Sequence, residues 1–412
     1  MKEDLCYNTR GKIWNEIIHF EQLAGYRYGT FRALHPRITL EKIRPLLAVA
    51  GITRLADITG LDWLGVPVYQ AVRPLSRNLS VSQGKGLTAV QAKVSALMEA
   101  IELHHAEAIE TLSCWKTVAE MRPQISYPPE KLALVEGIGV VEHVSICWLE
   151  AVDLLTGKSD WIPRDLCWLD LTVGERLYHS PFLASSNGLA SGNSFCEALV
   201  HALCEVIERD SVSRARLAES SPPAPLDVST VRSRTVQRLV SSLRTHRIET
   251  AIVDVTGPTG VPCFEVELRD QYLHSSVWGA GCHLSQTTAI IRAITEACQT
   301  RLALIAGTRD DLKYPDLSAP TLAPPLPEPL VPSTIDSAGL LRRPLPPRLR
   351  SFSDQVQYLA NRIRKITGWS PLAIDLSKPD FEIPVVFVAA PGLLFDSEHR
   401  SLTRRWIDEA AK

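Results

Sequence analysis

Several marks of a special environment are missing from this chain. No apolar run approaches the roughly 20 residues that cross a bilayer, and the opening MKEDLCYNTR lacks the basic-then-apolar layout of a secretory signal. A cytoplasmic protein with no membrane partner is therefore expected. Neither sign of charge dominates: 44 Lys and Arg against 46 Asp and Glu leave a net charge of −2. That balance excludes a general attraction to nucleic acid, so any anion site must be local. The nine cysteines are odd in number and contain no CxxC pair, which argues against a disulfide framework or structural zinc. The eleven histidines form no HxxxH set, and the neighbours His104 and His105 point about 100° apart on a helix.

The chain does have the means to build a sizeable core, with 412 residues of which 45% are hydrophobic and 22% charged. Residues 1–60 read as a mostly helical entry, in which LEKIRPLLAVAGI has helical spacing and Gly51 ends the run. A main domain is expected over 61–395, with a C-terminal helix over 396–412. Within it GVPVYQAVRP, HVSICWLEAVDL, TAIVDVT, VPCFEVELRD, SPLAIDL and IPVVFVAA read as strands, the last two returning to the main sheet. Helices are expected from Thr88, a candidate N-cap, to about Leu112, in the second half of 186–211, near 228–244, and in the turn-plus-helix GAGCHLSQTTAIIRAITEACQTRLALIAG. The prolines of 315–349 predict a long surface loop. The fold class is α+β, with mixed sheets packed against long helices.

One arrangement occurs three times: a Gly-containing turn, then a long helix with polar groups in its apolar face. On the first helix Ser95, Glu99 and Glu102 lie within about 60° of one another, and on the second Glu197, Glu205 and Glu208 within about 80°. On the third, Arg292, Glu296 and Gln299 lie within about 60°. An ExxE pair is ordinary on a solvated face. In ALMEAIELHH and ALCEVIERDS, however, the glutamates interrupt the stripe that should be buried. Buried carboxylates are costly unless a cation neutralises them, and Mg2+ takes oxygen ligands while bridging to phosphate oxygens. A nucleoside triphosphate is the matching co-ligand, with Lys85, Arg209 and Arg292 free to hold its phosphates. Gly84, Gly86, Gly188 and Gly192 suit an approach of backbone N–H groups to an anion. GKG alone is not a GxxxxGK[ST] phosphate loop, and Arg209 with Asp210 reads equally well as a surface ion pair.

QGKGLTAVQAKVSALMEAIE (83–102), SNGLASGNSFCEALVHALCEVIERD (186–210) and AIIRAITEACQTRL (289–302) resemble the three ordered motifs of the YcaO family of ATP-dependent peptide-backbone-modifying enzymes. The resemblance implies ATP and Mg2+ as cofactors, with Glu99, Glu102, Glu205 and Glu208 as metal ligands. It implies nucleotide or metal contacts from Ser95, Asn193, Glu197, Arg209, Arg292, Glu296 and Gln299, and phosphate contacts from Lys85. Arg209, Arg292 and Glu296 would stabilise the reacting phosphoryl group. Arg32 and Thr39 in FRALHPRIT match the spacing of a Lys/Ser phosphate pair, with Arg replacing Lys. Leu103 stands where an arginine is often found in the first motif.

The chemistry implied is addition of a nucleophile to a backbone carbonyl, transfer of a phosphoryl group from ATP to the oxygen, and loss of phosphate. A side chain of the substrate as nucleophile gives an azoline, and sulfide gives a thioamide. Residues 51–86 and AGTRDD (306–311) look like the subgroup that works with a TfuA partner in thioamidation, and the ending RRWIDEAAK lacks the Pro-x-Pro tail of many azoline formers. The expectation is a thioamide synthetase that acts on a ribosomal peptide or a protein, as a homodimer with a TfuA-like or other sulfur-delivering partner. Azoline cyclodehydration is the alternative within the family, and a non-catalytic nucleotide- or peptide-binding assembly factor is the alternative outside it.

Overall fold

The computed structural model describes residues 13–14, 16–17, 22–172, 180–218, 225–269, 276–308 and 349–395. The proline-rich loop expected over 315–349, apart from its last residue, and the helix expected over 396–412 lie outside the described residues.

The chain enters through a hairpin, β1 (Gly25–Arg27) and β2 (Thr30–Arg32), followed by helix α1 (Pro36–Ile43). Strands β3 (Arg54–Asp57), β4 (Val68–Val72) and β5 (Val81–Lys85) form an antiparallel sheet, and β5 runs into α2 (Ala89–Glu107). Next come β6 (Ser113–Thr117), the short α3 (Val118–Met121), β7 (Ser145–Asp153), β8 (Ser159–Pro163), β9 (Leu189–Ser191) and α4 (Phe195–Leu217). Helix α5 (Arg234–Thr245) precedes a second three-stranded sheet of β10 (Glu249–Asp254), β11 (Cys263–Arg269) and β12 (Val277–Cys282), which leads into α6 (Gln286–Ala306). Helix α7 (Phe352–Thr367), β13 (Leu372–Asp375) and β14 (Val385–Ala389) close the described fold.

As expected, β13 and β14 return to the main sheet, whose order is β6-β7-β13-β14-β9 with β8 paired to β7. Helix α2 packs its apolar side on a core that includes Trp148, Ile374 and Val385. Helix α4 shares a core with α7 and β14, and α6 with β11 and α5. The architecture is thus mixed α and β with several sheets, as the sequence predicts.

Three local expectations change. The entry is not mostly helical among the described residues: it contains β1, β2 and β3, and β3 pairs with β4 in the register Arg54↔Val72. RLAD is too short to show a period, so its partner makes it a strand. The helix expected to reach Leu112 stops at Glu107, because Ala108 turns extended (φ −141°, ψ 104°) and the chain enters β6. Helix α5 starts at Ser233, whose side chain accepts from Val236 N; Val228–Thr230 is a separate 3-10 turn.

Gly84 and Gly279 lie inside strands, Gly192 directly follows β9, and Gly188 is in a turn at φ +90° just before it. A Cβ on Gly84 would lie 2.0 Å from Ala96 N, one on Gly192 2.5 Å from Ala198 N, and one on Gly279 2.2 Å from Ala297 N. The facing helix positions are alanines with no exposed surface, among them Ala96, Ala198 and Ala297. Strand and helix therefore meet backbone to backbone. On the Cβ side the space at Gly84 and Gly192 is filled by helix, so these glycines allow close strand–helix packing.

Candidate functional site

The three strand–helix units share one local design. Each strand is followed by two residues and then a hydroxyl cap: Thr88 accepts from Gln91 N, Ser194 from Glu197 N and Ser285 from Thr288 N. Each such cap contributes about 1 kcal/mol to helix stability and fixes where the helix begins. Because the starts are fixed, side chains at the same distance from each cap occupy equivalent positions. Ser95, His201 and Arg292 form one level, Glu99, Glu205 and Glu296 the next, and Glu102, Glu208 and Gln299 the third.

Hydrogen bonds join the units into a ring. Glu102 of α2 accepts from Ser191 at the end of β9, from its N at 2.7 Å and its Oγ at 2.6 Å. Glu208 of α4 accepts from Cys282 N at the end of β12 at 2.8 Å. Glu296 of α6 meets Lys85 Nζ at the end of β5 at 2.6 Å, and also accepts from Ala280 N at 3.4 Å. Ser191, Cys282 and Lys85 are equivalent residues of their strands. Each helix thus lies on its own strand and reaches the strand of the next unit, so the three polar faces converge on one recess.

The entry segment closes a side of this recess. Asn193 donates to Glu197 Oε2 from its backbone N at 3.1 Å and its Nδ2 at 2.9 Å, and accepts from Thr39 Oγ1 at 2.8 Å. Arg32 Nη1 lies 3.3 Å from Glu197 Oε1. Arg32 and Thr39, far away in sequence, therefore stand beside the second motif. Lys85, Ser95, Glu99, Glu102, Asn193, Glu205, Arg209, Arg292 and Glu296 are half-buried, while Thr39, Glu197 and Glu208 are buried. Gln299 is half-buried one turn past Glu296, with no hydrogen bond to the cluster among the described residues. Arg209 and Asp210 are not an ion pair: Asp210 is buried and holds Arg214 at 2.8 Å, while Arg209 interacts with Glu208, Glu205 and Glu296.

Electrostatics follow from this crowding. Burial, reinforced by Glu99, pushes Glu102 up to about 7 despite its bonds to Ser191. Burial pushes Glu205 up to about 8, and it raises Glu208 with Glu296 adding to it. Glu296 goes the other way, because Lys85 and Arg209 outweigh its burial. Burial opposes the charge on Arg209 and Arg292, and the surrounding acids together, Glu208 first and Glu296 among them, more than compensate for it at both.

Two histidines that the sequence reading did not select belong here. His201 stands at the level of Ser95 and Arg292; burial together with Arg32, Arg292, His283 and Lys85 holds its imidazole well below its usual value. His283 Nδ1 accepts from Ser285 N at 2.9 Å and its ring stacks on Phe31 at 5.4 Å. Burial, Arg292 and Arg32 bring it down to about 3. Aligning the three helices on their caps would have shown His201 from the sequence. Cys263 and Cys282 face each other across β11 and β12, and burial pushes both thiols up, which keeps them protonated.

Among the described residues no three His, Cys, Asp or Glu side chains are gathered to hold an ion unaided. The donor chemistry nonetheless fits divalent ions bound together with phosphate. Carboxylates whose ionisation is suppressed by burial lie next to Lys85, Arg209 and Arg292, and a hard cation shared with phosphate oxygens would balance both sets.

The chain is similar to several known proteins. An uncharacterized protein of Mycobacterium tuberculosis is 36% identical over 377 residues, covering 90% of this chain and 84% of that protein. An uncharacterized protein in the tfuA 3' region of Rhizobium leguminosarum bv. trifolii is 33% identical, with 89% of each chain covered. Among solved structures, a heterocyclase in complex with substrate and cofactor matches with a TM-score of 0.72 at 23% identity. That match covers 93% of this chain, which spans only 56% of the heterocyclase. YcaO from Methanopyrus kandleri bound with AMPPCP and Mg2+ matches with a TM-score of 0.68 at 24% identity, covering 90% and 94%. At these identities the structures establish the fold. The family model described as YcaO cyclodehydratase, ATP- and Mg2+-binding, matches residues 83–394, a span that starts within β5 and contains the helices of all three units, and the chain belongs to the YcaO family.

Proposed function

We propose that this ATP-dependent peptide-modifying enzyme converts a backbone amide of a ribosomally made peptide or a protein to a thioamide, together with a TfuA-like partner. The observation that carries the thioamide reading is the relative in the tfuA 3' region, which aligns over 89% of both chains. Azoline formation by a substrate Cys, Ser or Thr is the alternative.

In this reading Glu99, Glu102, Glu205 and Glu208 hold magnesium, and Ser95, Asn193, Glu197 and Gln299 complete the nucleotide site. Lys85, Arg32, Thr39, Arg209 and Arg292 hold phosphate oxygens. Magnesium supplies Lewis-acid neutralisation of phosphate charge. Arg209 and Arg292 would hold the phosphoryl oxygens during transfer to the amide, where their positive charge would favour the charge spread over those oxygens. Glu296 keeps Lys85 in place across the recess, since the two are 2.6 Å apart. Ser191 and Cys282 fix Glu102 and Glu208 through main-chain donors, so little reorganisation is needed at the moment of reaction.

The deciding experiment combines the protein with a TfuA-like protein, ATP, Mg2+, sulfide and a candidate peptide, and reads the product by mass spectrometry. Sulfur replacing oxygen raises the peptide mass; loss of one water without sulfur gain overturns the thioamide reading and leaves azoline formation. Glu99→Gln and Glu205→Gln are expected to abolish modification, and undiminished modification in both overturns the metal assignment. Light scattering checks the homodimer, which is the state we propose.

A further inference from the structure

A second recess, of about 260 Å3, opens at the C-terminal end of α2, outside the carboxylate ring. Arg73, Arg77, His104, Glu107 and Lys378 line it. Its buried acids are already matched. Glu107 accepts from Arg73 Nη1 at 3.1 Å and Nη2 at 2.6 Å, from Ser76 Oγ at 2.6 Å and from Arg77 N at 3.1 Å. Asp170 accepts from Arg77 Nη1 at 2.8 Å. Lys378 is different: among the described residues no acceptor lies within hydrogen-bonding distance of its half-buried amine. The exposed Glu110 acts on it only at longer range, and His104 beside it stays neutral, brought down to about 4 by burial, Lys378 and Arg73. Arg73 and Arg77 are thus each held by a carboxylate at hydrogen-bonding distance, whereas the amine of Lys378, balanced only at longer range by Glu107 and Glu110, is left to meet a ligand in the cavity.

The rim points to the kind of ligand. Leu75 is 94% exposed and Val49 56% exposed, and both border the recess. A free inorganic anion gains nothing from these side chains, whereas a peptide carrying an acidic residue beside an apolar one matches the cation and the rim together. We propose that this recess binds an acidic side chain flanked by an apolar residue in the substrate peptide, anchoring the peptide away from the amide that reacts. The proposal rests on the reading that the substrate is a peptide or protein.

Fluorescence polarisation with labelled Gly-Asp-Leu-Gly and Gly-Asn-Leu-Gly peptides, without ATP, tests it in the full chain. The Asp peptide is expected to bind at least tenfold tighter than the Asn peptide, to weaken at least tenfold in Lys378→Met, and to weaken by a smaller factor in Leu75→Ser. Lys378→Glu is expected to reverse the preference towards Gly-Lys-Leu-Gly, a gain that a misfolded variant would not show. Equal binding of the Asp and Asn peptides, or unchanged binding in Lys378→Met, overturns the proposal. Phosphate that competes as well as the Asp peptide, with Leu75→Ser silent, would reveal a simple anion site and also overturn it. Because binding is read without chemistry, Glu205→Gln should leave it intact, which separates failure of this site from failure of the catalytic reading.

Discussion

Gly84→Ala tests whether strand–helix contact sets the geometry of the recess. The added methyl would sit 2.0 Å from Ala96 N, 2.3 Å from Ala92 O and 2.7 Å from Ala96 Cα, all main-chain atoms of α2 that no rotamer change can move. Ordinary contact begins near 3.4 Å, so helix and strand must separate by about 1.4 Å. Overpacking of this kind costs about 1–3 kcal/mol, which a chain of this size should survive folded. The same shift carries Glu99 and Glu102 with the helix and stretches the 2.6 and 2.7 Å bonds from Ser191 beyond hydrogen-bonding range. Misplacement of about 1 Å at a positioned group costs on the order of 100-fold in rate, so kcat should fall by about that factor. The assay is peptide-dependent ATP turnover per folded molecule, with circular dichroism to confirm the fold. Gly139→Ala, where a methyl meets nothing within 4 Å, is the control. A folded Gly84→Ala protein with unchanged kcat would refute the reasoning.

A double-mutant cycle of Lys85→Met and Glu296→Gln should give a coupling of about 0.5–3 kcal/mol in kcat/KM, and additive effects would break the proposed ring at that joint. Asp62→Asn should destabilise the fold by about 3–5 kcal/mol in urea melts, because it removes the negative charge that Asp62 places 2.7 Å from the buried guanidinium of Arg301. Activity per folded molecule should persist, since neither residue borders the recess. Acid should erode stability through His105, which is fully buried, with Nδ1 on Ile101 O at 2.7 Å and Nε2 lacking a partner among the described residues. Burial brings its value down from 6.5 to about 3, so the neutral form's contribution is complete above pH 6.5 and is lost as pH falls towards 3. The slope is about 1.4 kcal/mol per pH unit. His105→Leu should flatten the decline between pH 6.5 and 5, and an unaltered slope would contradict this.

Much of the site was legible because helical spacing is a local property. Glu99 with Glu102, Glu205 with Glu208, and Arg292 with Glu296 were placed on shared faces by the pitch alone, and Thr88 marked where the first helix starts. Gly84 was misread because a flexible turn and a tightly packed strand look alike in sequence; only the facing alanines distinguish them. His201 was passed over because a single histidine in an apolar helix has no local signal, although its level in the threefold pattern does. Strand β3 and the entry hairpin were invisible because short strands owe their form to partners distant in the chain.

The sequence by itself determined the helices, their polar faces and the order of the three units, since these depend on residues a few positions apart. Tertiary structure decided that Glu102 meets Ser191, Glu208 meets Cys282 and Glu296 meets Lys85, so that each unit completes its neighbour. It also decided which groups stay uncharged. Ionisation at Glu205, Glu102 and His201 depends on burial and on cations brought in from β2, β5 and α6, and no stretch of chain contains that information alone.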